Sequence, residues 1–546
     1  MKKYWFLIIS LIIGFSLRVY QLEAIPNGLT WDEAALGYNA YSILKTGRDE
    51  FGTFMPLIFK SFGDYKPGLY IYLTVPSVAI FGLNEFSVRF PSVVFGTLAI
   101  LGLYLFVREL FKKEKYAHLL GLLSALALAI SPWHVHFSRG AWETNVYSNL
   151  LLFGLYYWLR FIRGASSILP SLVFACASLL TYQSAKLLTP LNFIILTLFF
   201  LPDFLKILPQ AISKKKNLIP LVIASVFGIW FFISTFFGPA GNRLARLSIF
   251  GYKPDISQET KIIDGNNPLI YNLFHNQTRL TLSLIASRYL YHFSPEVLFY
   301  ESSAISQRGH LPGVGMLQPL EFVWLLLGLI FIARNWKKKE IVFVVVLLLL
   351  SPLPGSMTLE EFSTVRTHFL TIPLAIVSAM GMLYLLQKNK YILLGLTLPY
   401  LITHLYTFDL YFLHSQKFLA PEYNYGYKQA MEVVNRYPNS RVLMTDVLGQ
   451  PYIYYLFYSR YDPARYQKNN QFIEGGIDVG KVNSIDKIEF RQFSVQDILT
   501  YKDTVFIGTE GNIPNDFDTK NPVVEEHQII DYPGGQNLFR IIKTKK

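Results

Sequence analysis

Two short stretches of the chain put acids and a cation where a reaction at a membrane surface would need them. Asp32 and Glu33 sit in Trp31-Asp32-Glu33-Ala34-Ala35-Leu36-Gly37-Tyr38, directly after the first hydrophobic run, and some thirty residues later comes Gly63-Asp64-Tyr65-Lys66-Pro67-Gly68-Leu69-Tyr70. A carboxylate takes a proton from an acceptor hydroxyl, and a nearby cation steadies a departing phosphate. Together they are a layout for group transfer from a lipid phosphate. Each also has a plainer reading. Thr30 and Asp32 suit a helix N-terminus, where Asp32 and Glu33 would act as caps, and Lys66 can snorkel to an interface.

These residues must be positioned by membrane-spanning elements. Of 546 residues, 52% are hydrophobic and only 16% charged, with a mean hydropathy of +0.32, whereas a soluble domain carries about 25% charged residues. About eleven apolar runs are of a length suited to crossing a bilayer: 4–22, 86–107, 117–133, 146–162, 166–183, 187–205, 218–237, 319–333, 341–354, 368–386 and 391–412. The expected fold is an α-helical polytopic membrane protein with a small soluble α/β domain at its C-terminus.

Basic residues orient the spans, because short cytoplasmic loops retain Lys and Arg. Every other loop is basic. One set, from Lys2 and Lys3 through Arg108, Lys112, Lys214 and Lys337 to Lys390, gathers 18 basic residues against four acidic ones, a net +14. The whole chain is +13, so its basicity is an orientation signal and calls for no nucleic-acid partner. If the apolar segment Leu69–Leu83 also crossed, every later basic loop would move outside, so it is expected to be juxtamembrane or re-entrant. The extracytoplasmic face then receives the loops 23–85, 134–145, 238–318 and 355–367 and the tail from His414 onward. Localisation in the cytoplasmic membrane follows, with the site and the C-terminal domain on that outer face.

The domain boundary is expected near residue 413, with a membrane domain over 1–413 and the α/β domain over 414–546. In the tail, Tyr425–Tyr437 reads as an amphipathic helix, Arg441–Thr445 and Thr504–Gly508 as buried strands, Asn537–Ile542 as a terminal strand, and the Tyr-rich run Tyr452–Tyr461 as a core helix. The N-terminal run has no Ala-x-Ala cleavage site and is expected to be a retained span. Arg18 near its outer end marks a polar cavity or snorkels to the interface. Cys176 is the only cysteine, which leaves no intramolecular disulfide and makes a thiol–metal role improbable. His134 and His136 flank Trp133 at a span end, where an aromatic-belt role is expected rather than metal binding.

No cytoplasmic loop is long enough for a nucleotide-binding domain, and no glycine-rich phosphate loop is present. Nucleotides are scarce outside the cell, so a transferase on that face needs a donor delivered through the membrane. A polyprenyl phosphate carrying one sugar meets that need.

Asp32-Glu33-x-x-x-Gly37, then Gly63-Asp64-Tyr65-Lys66-Pro67, the basic-inside spans, and Ser138-Arg139-Gly140-Ala141-Trp142-Glu143 resemble the protein O-mannosyltransferase and aminoarabinose-transferase branch of the C-type glycosyltransferase superfold. The architecture is shared over roughly 1–410, and the motifs fall mostly within the first 150 residues. The resemblance implies a glycosyltransferase that moves one sugar, with inversion, from a polyprenyl-phosphate donor to a hydroxyl of a protein, lipid or surface glycan. It casts Asp32 as the base or orienter for the acceptor hydroxyl, supported by Glu33, and Lys66 as the contact to the donor phosphate. Arg139 matches a cation placed in the second external loop. Glu143, at i+4 on the same face if that segment is helical, is a second acid or an Arg139 partner.

Arg366 is expected as a further phosphate contact, and Arg18, Asp64, Tyr65, Lys186 and His368 as residues lining the cavity. No metal site or cofactor is called for, a divalent cation being left open. Two departures stand out. Relatives commonly read Lys-Pro-Pro-Leu where this chain has Lys66-Pro67-Gly68-Leu69, and the Trp-Trp-Asp-Tyr-Gly motif of the oligosaccharyltransferase branch is missing. The competing readings are a transporter or lipid flippase, whose intramembrane charges would line a path, and an O-antigen ligase or polymerase with the same chemistry and another donor.

Overall fold

The computed structural model describes residues 4–213, 215–236, 249, 269, 273, 277–300, 307–311, 313–469, 471–475 and 479–546. Most of the long loop 238–318, including Arg243, Arg246, Lys253 and His275, lies outside the described residues. Contacts divide the chain into two units. The first holds residues 1–17, 95–137 and 142–407; the second holds 18–94, 138–141 and 408–546.

The helices expected as spans are α1 (Trp5–Val19), α4 (Glu85–Leu110), α5 (Ala117–Ile130), α7 (Glu143–Ile162), α8 (Leu169–Leu179), α9 (Ala185–Phe199), α11 (Lys215–Phe236), α13 (Glu321–Asn335), α14 (Lys339–Leu350), α15 (Thr371–Lys388) and α16 (Lys390–Asp409). Between them lie α2 (Trp31–Thr46), α3 (Leu69–Phe81), α6 (Pro132–Phe137), α10 (Leu201–Ser213) and α12 (Gln277–Tyr291). By length and composition alone, five described helices can cross a membrane, or six if one bent pair is counted as a span. That pair is α9 and α10, which turn by 93° where a continuous span 187–205 was expected. Pro202 marks the break, because it has no amide to donate to the turn before it and its ring suits the first turn of a new helix.

In the first unit the largest core brings together α4, α5, α7, α14 and α15 around Phe106, Tyr147, Leu151, Phe343 and Met380. α13 packs against α15 through two glycines. A Cβ on Gly328 would lie 2.8 Å from Val377 Cγ1, and one on Gly381 would lie 2.9 Å from Gly328 N, so only small residues permit this approach of the two backbones.

The second unit is built on α2, the hairpin β1 (Ile58–Ser61) with β2 (Asp64–Pro67), α3, the start of α4 and the tail. α3 has 13 residues, roughly 20 Å at 1.5 Å per residue and short of the roughly 30 Å hydrocarbon core. Its apolar Ile80 and Phe81 are exposed.

The tail adds α17 (Tyr427–Arg436), β3 (Arg441–Met444), α18 (Pro451–Tyr458), α19 (Pro463–Asn469), β4 (Phe472–Ile473), β5 (Lys481–Val482), β6 (Ser484–Ile485), β7 (Ile488–Phe490), α20 (Val495–Thr500), β8 (Thr504–Gly508), β9 (Val524–Asp531) and β10 (Asn537–Thr544). Six of these strands form one sheet in the order β6-β7-β3-β8-β10-β9. β3 runs parallel to β7 and β8, and β10 runs antiparallel to β8 and β9.

The Tyr-rich run is the buried helix α18, as its composition suggested. It packs on α2 at Gly37, where a Cβ would come within 2.5 Å of Phe457 Cε2. Tyr454 Oη donates to the Leu29 carbonyl at 3.0 Å, and Tyr38 Oη to the Tyr461 carbonyl at 3.2 Å. The tail therefore shares a core with the segment 23–85, a partition that differs from a domain cut at residue 413.

Candidate active site

α2 starts where Thr30 and Glu33 close a capping box: Glu33 N donates to Thr30 Oγ1 and Thr30 N to Glu33 Oε2, each at 3.1 Å. Two otherwise orphaned amides are satisfied, which fixes the first turn. The helix ends at Gly47 in the left-handed region, φ 68°, and is tied back by Asn39, whose Nδ2 donates to Glu50 Oε1 at 3.1 Å while its Oδ1 accepts from Glu50 N at 3.0 Å. Burial pushes the Glu50 carboxyl up to about 8.

The hairpin opposite turns at Phe62 and Gly63, both with positive φ (52° and 85°), the signature of a two-residue type I′ loop. Side chains alternate across a strand, so Asp64 and Lys66 share one face of β2 and Tyr65 takes the other. The turn thereby aims Lys66 at α2. Its Nζ lies 2.5 Å from Asp32 Oδ1, with the lysine side chain 17% exposed and the aspartate 41%. The expected base and the expected phosphate cation are thus an ion pair, and the carboxylate is reachable from outside.

Glu33 faces the other way. Arg89, fully buried near the start of α4, donates from Nε to Glu33 Oε1 at 3.0 Å and from Nη2 to Oε2 at 3.2 Å. Ala141 N adds a bond to Oε1 at 2.9 Å. The remaining Arg89 donors reach the carbonyls of Leu22 (3.1 Å), Pro26 (2.8 Å) and Gly28 (2.5 Å). Both Glu33 oxygens are committed to structure, so the capping alternative is correct for Glu33, while Asp32 is left for Lys66.

Arg139 lies among backbone carbonyls. It is fully buried; its Nη1 and Nη2 donate to the Arg18 and Ile25 carbonyls at 3.1 and 2.9 Å, and its guanidinium lies 4.9 Å from the Phe412 ring centre. Burial lowers its pKa. This is the geometry of a clamp on residues 18–25, from which a donor-phosphate contact does not follow. Arg18, expected to line a cavity, is itself fully buried.

The proposed Arg139–Glu143 pair on one helical face is corrected: α6 ends at Phe137, residues 138–141 form turns, and α7 begins at Glu143. Asp64 is buried and Tyr65 half-buried. Glu143, Arg366, Lys186 and His368 belong to the first unit. Arg366 pairs with Glu360 at 2.6 Å, Lys186 lies over the Phe231 ring at 5.7 Å, and buried His368 meets Ser148 Oγ at 3.1 Å. Among the described residues, no three His, Cys, Asp or Glu side chains gather to hold a metal ion.

The residue that sequence reasoning missed is Arg89. A buried arginine at the head of an apolar run is costly without partners, the same signal that singled out Arg18.

Residues 65–230 match the family described as dolichyl-phosphate-mannose-protein mannosyltransferase. Over nearly its whole length the chain superposes on ArnT from Cupriavidus metallidurans in the apo state, with a TM-score of 0.52 at 12% identity, covering 98% of this chain and 96% of that one. ArnT bound to undecaprenyl phosphate gives a TM-score of 0.53 at 11% identity, covering 98% and 97%. The chain has the C-type glycosyltransferase fold. Its likeness is to the protein O-mannosyltransferase and aminoarabinose-transferase branch, and at such identity the superpositions speak for the fold alone. The apo oligosaccharyltransferase of Archaeoglobus fulgidus also matches, with a TM-score of 0.43 at 13% identity, covering 84% of this chain and 64% of that one. No curated protein sequence matches the chain significantly.

Proposed function

We propose that this chain is a glycosyltransferase that moves a single sugar from a polyprenyl-phosphate carrier to a hydroxyl acceptor at the outer face of the cytoplasmic membrane. The observation that carries it is the Asp32–Lys66 pair at 2.5 Å, a carboxylate and a cation within reach of one reacting centre. ArnT is known bound to undecaprenyl phosphate, and this reading gives the present chain the same class of ligand.

The lipid phosphate enters beside Lys66, which exchanges Asp32 for a phosphate oxygen. Asp32 then accepts the proton of the acceptor hydroxyl as its oxygen attacks the anomeric carbon. The C–O bond to phosphate breaks on the opposite side, its electron pair leaves with the phosphate, and the anomeric centre inverts. Lys66 stabilises the charge that gathers on the leaving oxygen. Glu33 and Arg89 position the pair by locking the first turn of α2. Glu143 is kept as the alternative acid and Arg366 as the alternative phosphate contact. A transporter or flippase needs charges along a path through the bilayer, whereas Asp32 and Lys66 stand at a helix start and on a hairpin in the first external loop.

Undecaprenyl phosphate should raise the melting temperature of the purified protein, since a ligand that binds only the native state stabilises it by RT ln(1 + [L]/Kd). Lys66→Ala should abolish most of that rise while the ligand-free melting temperature changes little. An equal rise in both proteins would make Lys66 an interfacial anchor.

Sidedness follows from the +14 excess on the opposite loops. A reporter fused after Lys546 should be active only outside the cytoplasm. Cytoplasmic activity would overturn the orientation, and with it the argument for a lipid-borne donor.

A further inference from the structure

The carboxyl edge of the tail's parallel strands carries a polar cluster that the transfer step does not use. The chain leaving β3 returns to the sheet at β7 on one side, and the chain leaving β8 returns through β9 and β10 on the other. Where connections diverge in this way, a crevice opens outside the carboxyl ends of the strands. Gln492, just beyond β7, donates from Nε2 to Asp446 Oδ1 at 2.7 Å and to Thr445 Oγ1 at 3.1 Å. Asn512, beyond β8, donates to Gln492 Oε1 at 2.9 Å. The relay fixes Asp446 and leaves its Oδ2 4.0 Å from Lys481 Nζ, outside hydrogen-bond range.

The turn after β3 approaches α2 at Trp31, one residue before the candidate base. Asp446 opens a turn in which Gly449 N donates to the Asp446 carbonyl at 3.2 Å. Gly449 has φ 112°, and a Cβ there would lie 2.7 Å from Trp31 Cζ3. Trp31 is half-buried and immediately precedes Asp32 on the first turn of α2. One aromatic ring therefore links the edge of the crevice to the carboxylate that would deprotonate the acceptor.

We infer that this crevice is the acceptor subsite and that its acceptor is a glycan hydroxyl, an assignment that rests on the transfer reading above. Adjacent sugar hydroxyls each donate and accept. The second Asp446 oxygen, held in place by the Gln492 relay, accepts, and Lys481 Nζ, 4.0 Å from it, donates, while the Trp31 ring adds an amphipathic face for the C–H side of a sugar ring.

The test uses the full-length protein in liposomes, with undecaprenyl-phosphate mannose, glucose and aminoarabinose offered in turn as donors. p-Nitrophenyl mannoside is the glycan probe and a threonine-rich peptide the competing one. Gln492→Ala, at an exposed side chain, and Asp446→Asn should each raise the KM for the glycoside about tenfold, the scale of one lost hydrogen bond to a charged or fixed polar group, with kcat changed less than about twofold. Wild-type KM in both variants, or transfer to the peptide and not to the glycoside, overturns the acceptor assignment and leaves the transfer reading standing. A wild-type protein that consumes none of the donors overturns both.

Discussion

Asp32→Asn should lower sugar transfer by about 100-fold or more, the scale of losing a general base, while binding of undecaprenyl phosphate changes much less. The substitution keeps the shape of the side chain that meets Lys66 at 2.5 Å but removes its capacity to take a proton. Glu33 is already occupied by Arg89, Thr30 and Ala141, so it is a poor substitute base. Glu143→Gln supplies the control. It should retain most activity; if it abolishes transfer while Asp32→Asn does not, the segment 134–145 provides the base and the assignment of Asp32 is wrong.

Arg89→Ala should cost about 3–5 kcal/mol of stability, the usual scale for stripping one partner from a buried ion pair. The Glu33 carboxylate would be left buried beside the Ala141 amide, and the carbonyls of Leu22, Pro26 and Gly28 would lose their donor. Thermal unfolding of the purified variant reads the loss. Because Arg89 holds the loop preceding α2, transfer should fall along with stability. A variant that melts with the wild type would show that the pair does not position the site.

The sequence pointed to Asp32 and Lys66 because their chemistry depends on residue type and on position after the first span, both of which are local. It offered two roles for the acidic pair, and only three-dimensional contact separates them. Glu33 is three residues from its cap partner Thr30, a legible spacing, yet its decisive partner Arg89 is 56 residues away. Arg139 was assigned by family pattern to a phosphate; its neighbours Phe412 and Ile25 are brought to it by folding. Helices stand at the apolar runs that hydropathy picked out, but five or six described helices, against about eleven runs, are long and apolar enough to cross a membrane, and one run is broken by the 93° turn between α9 and α10, which Pro202 could have announced. The strands Arg441–Met444 and Thr504–Gly508 stood out as short apolar runs, whereas the half-exposed strand Val524–Asp531 carries no such pattern.

The most direct test is a single-turnover reaction of the wild-type protein in liposomes with undecaprenyl phosphate carrying a radiolabelled sugar. Free lipid phosphate and labelled glycoside are followed together, and the anomeric configuration of the product is determined. If Asp32 and Lys66 act as base and phosphate cation in one displacement, the two products appear in equal amounts and the anomeric centre is inverted. A donor that stays intact, or a glycoside with retained configuration, would contradict the account.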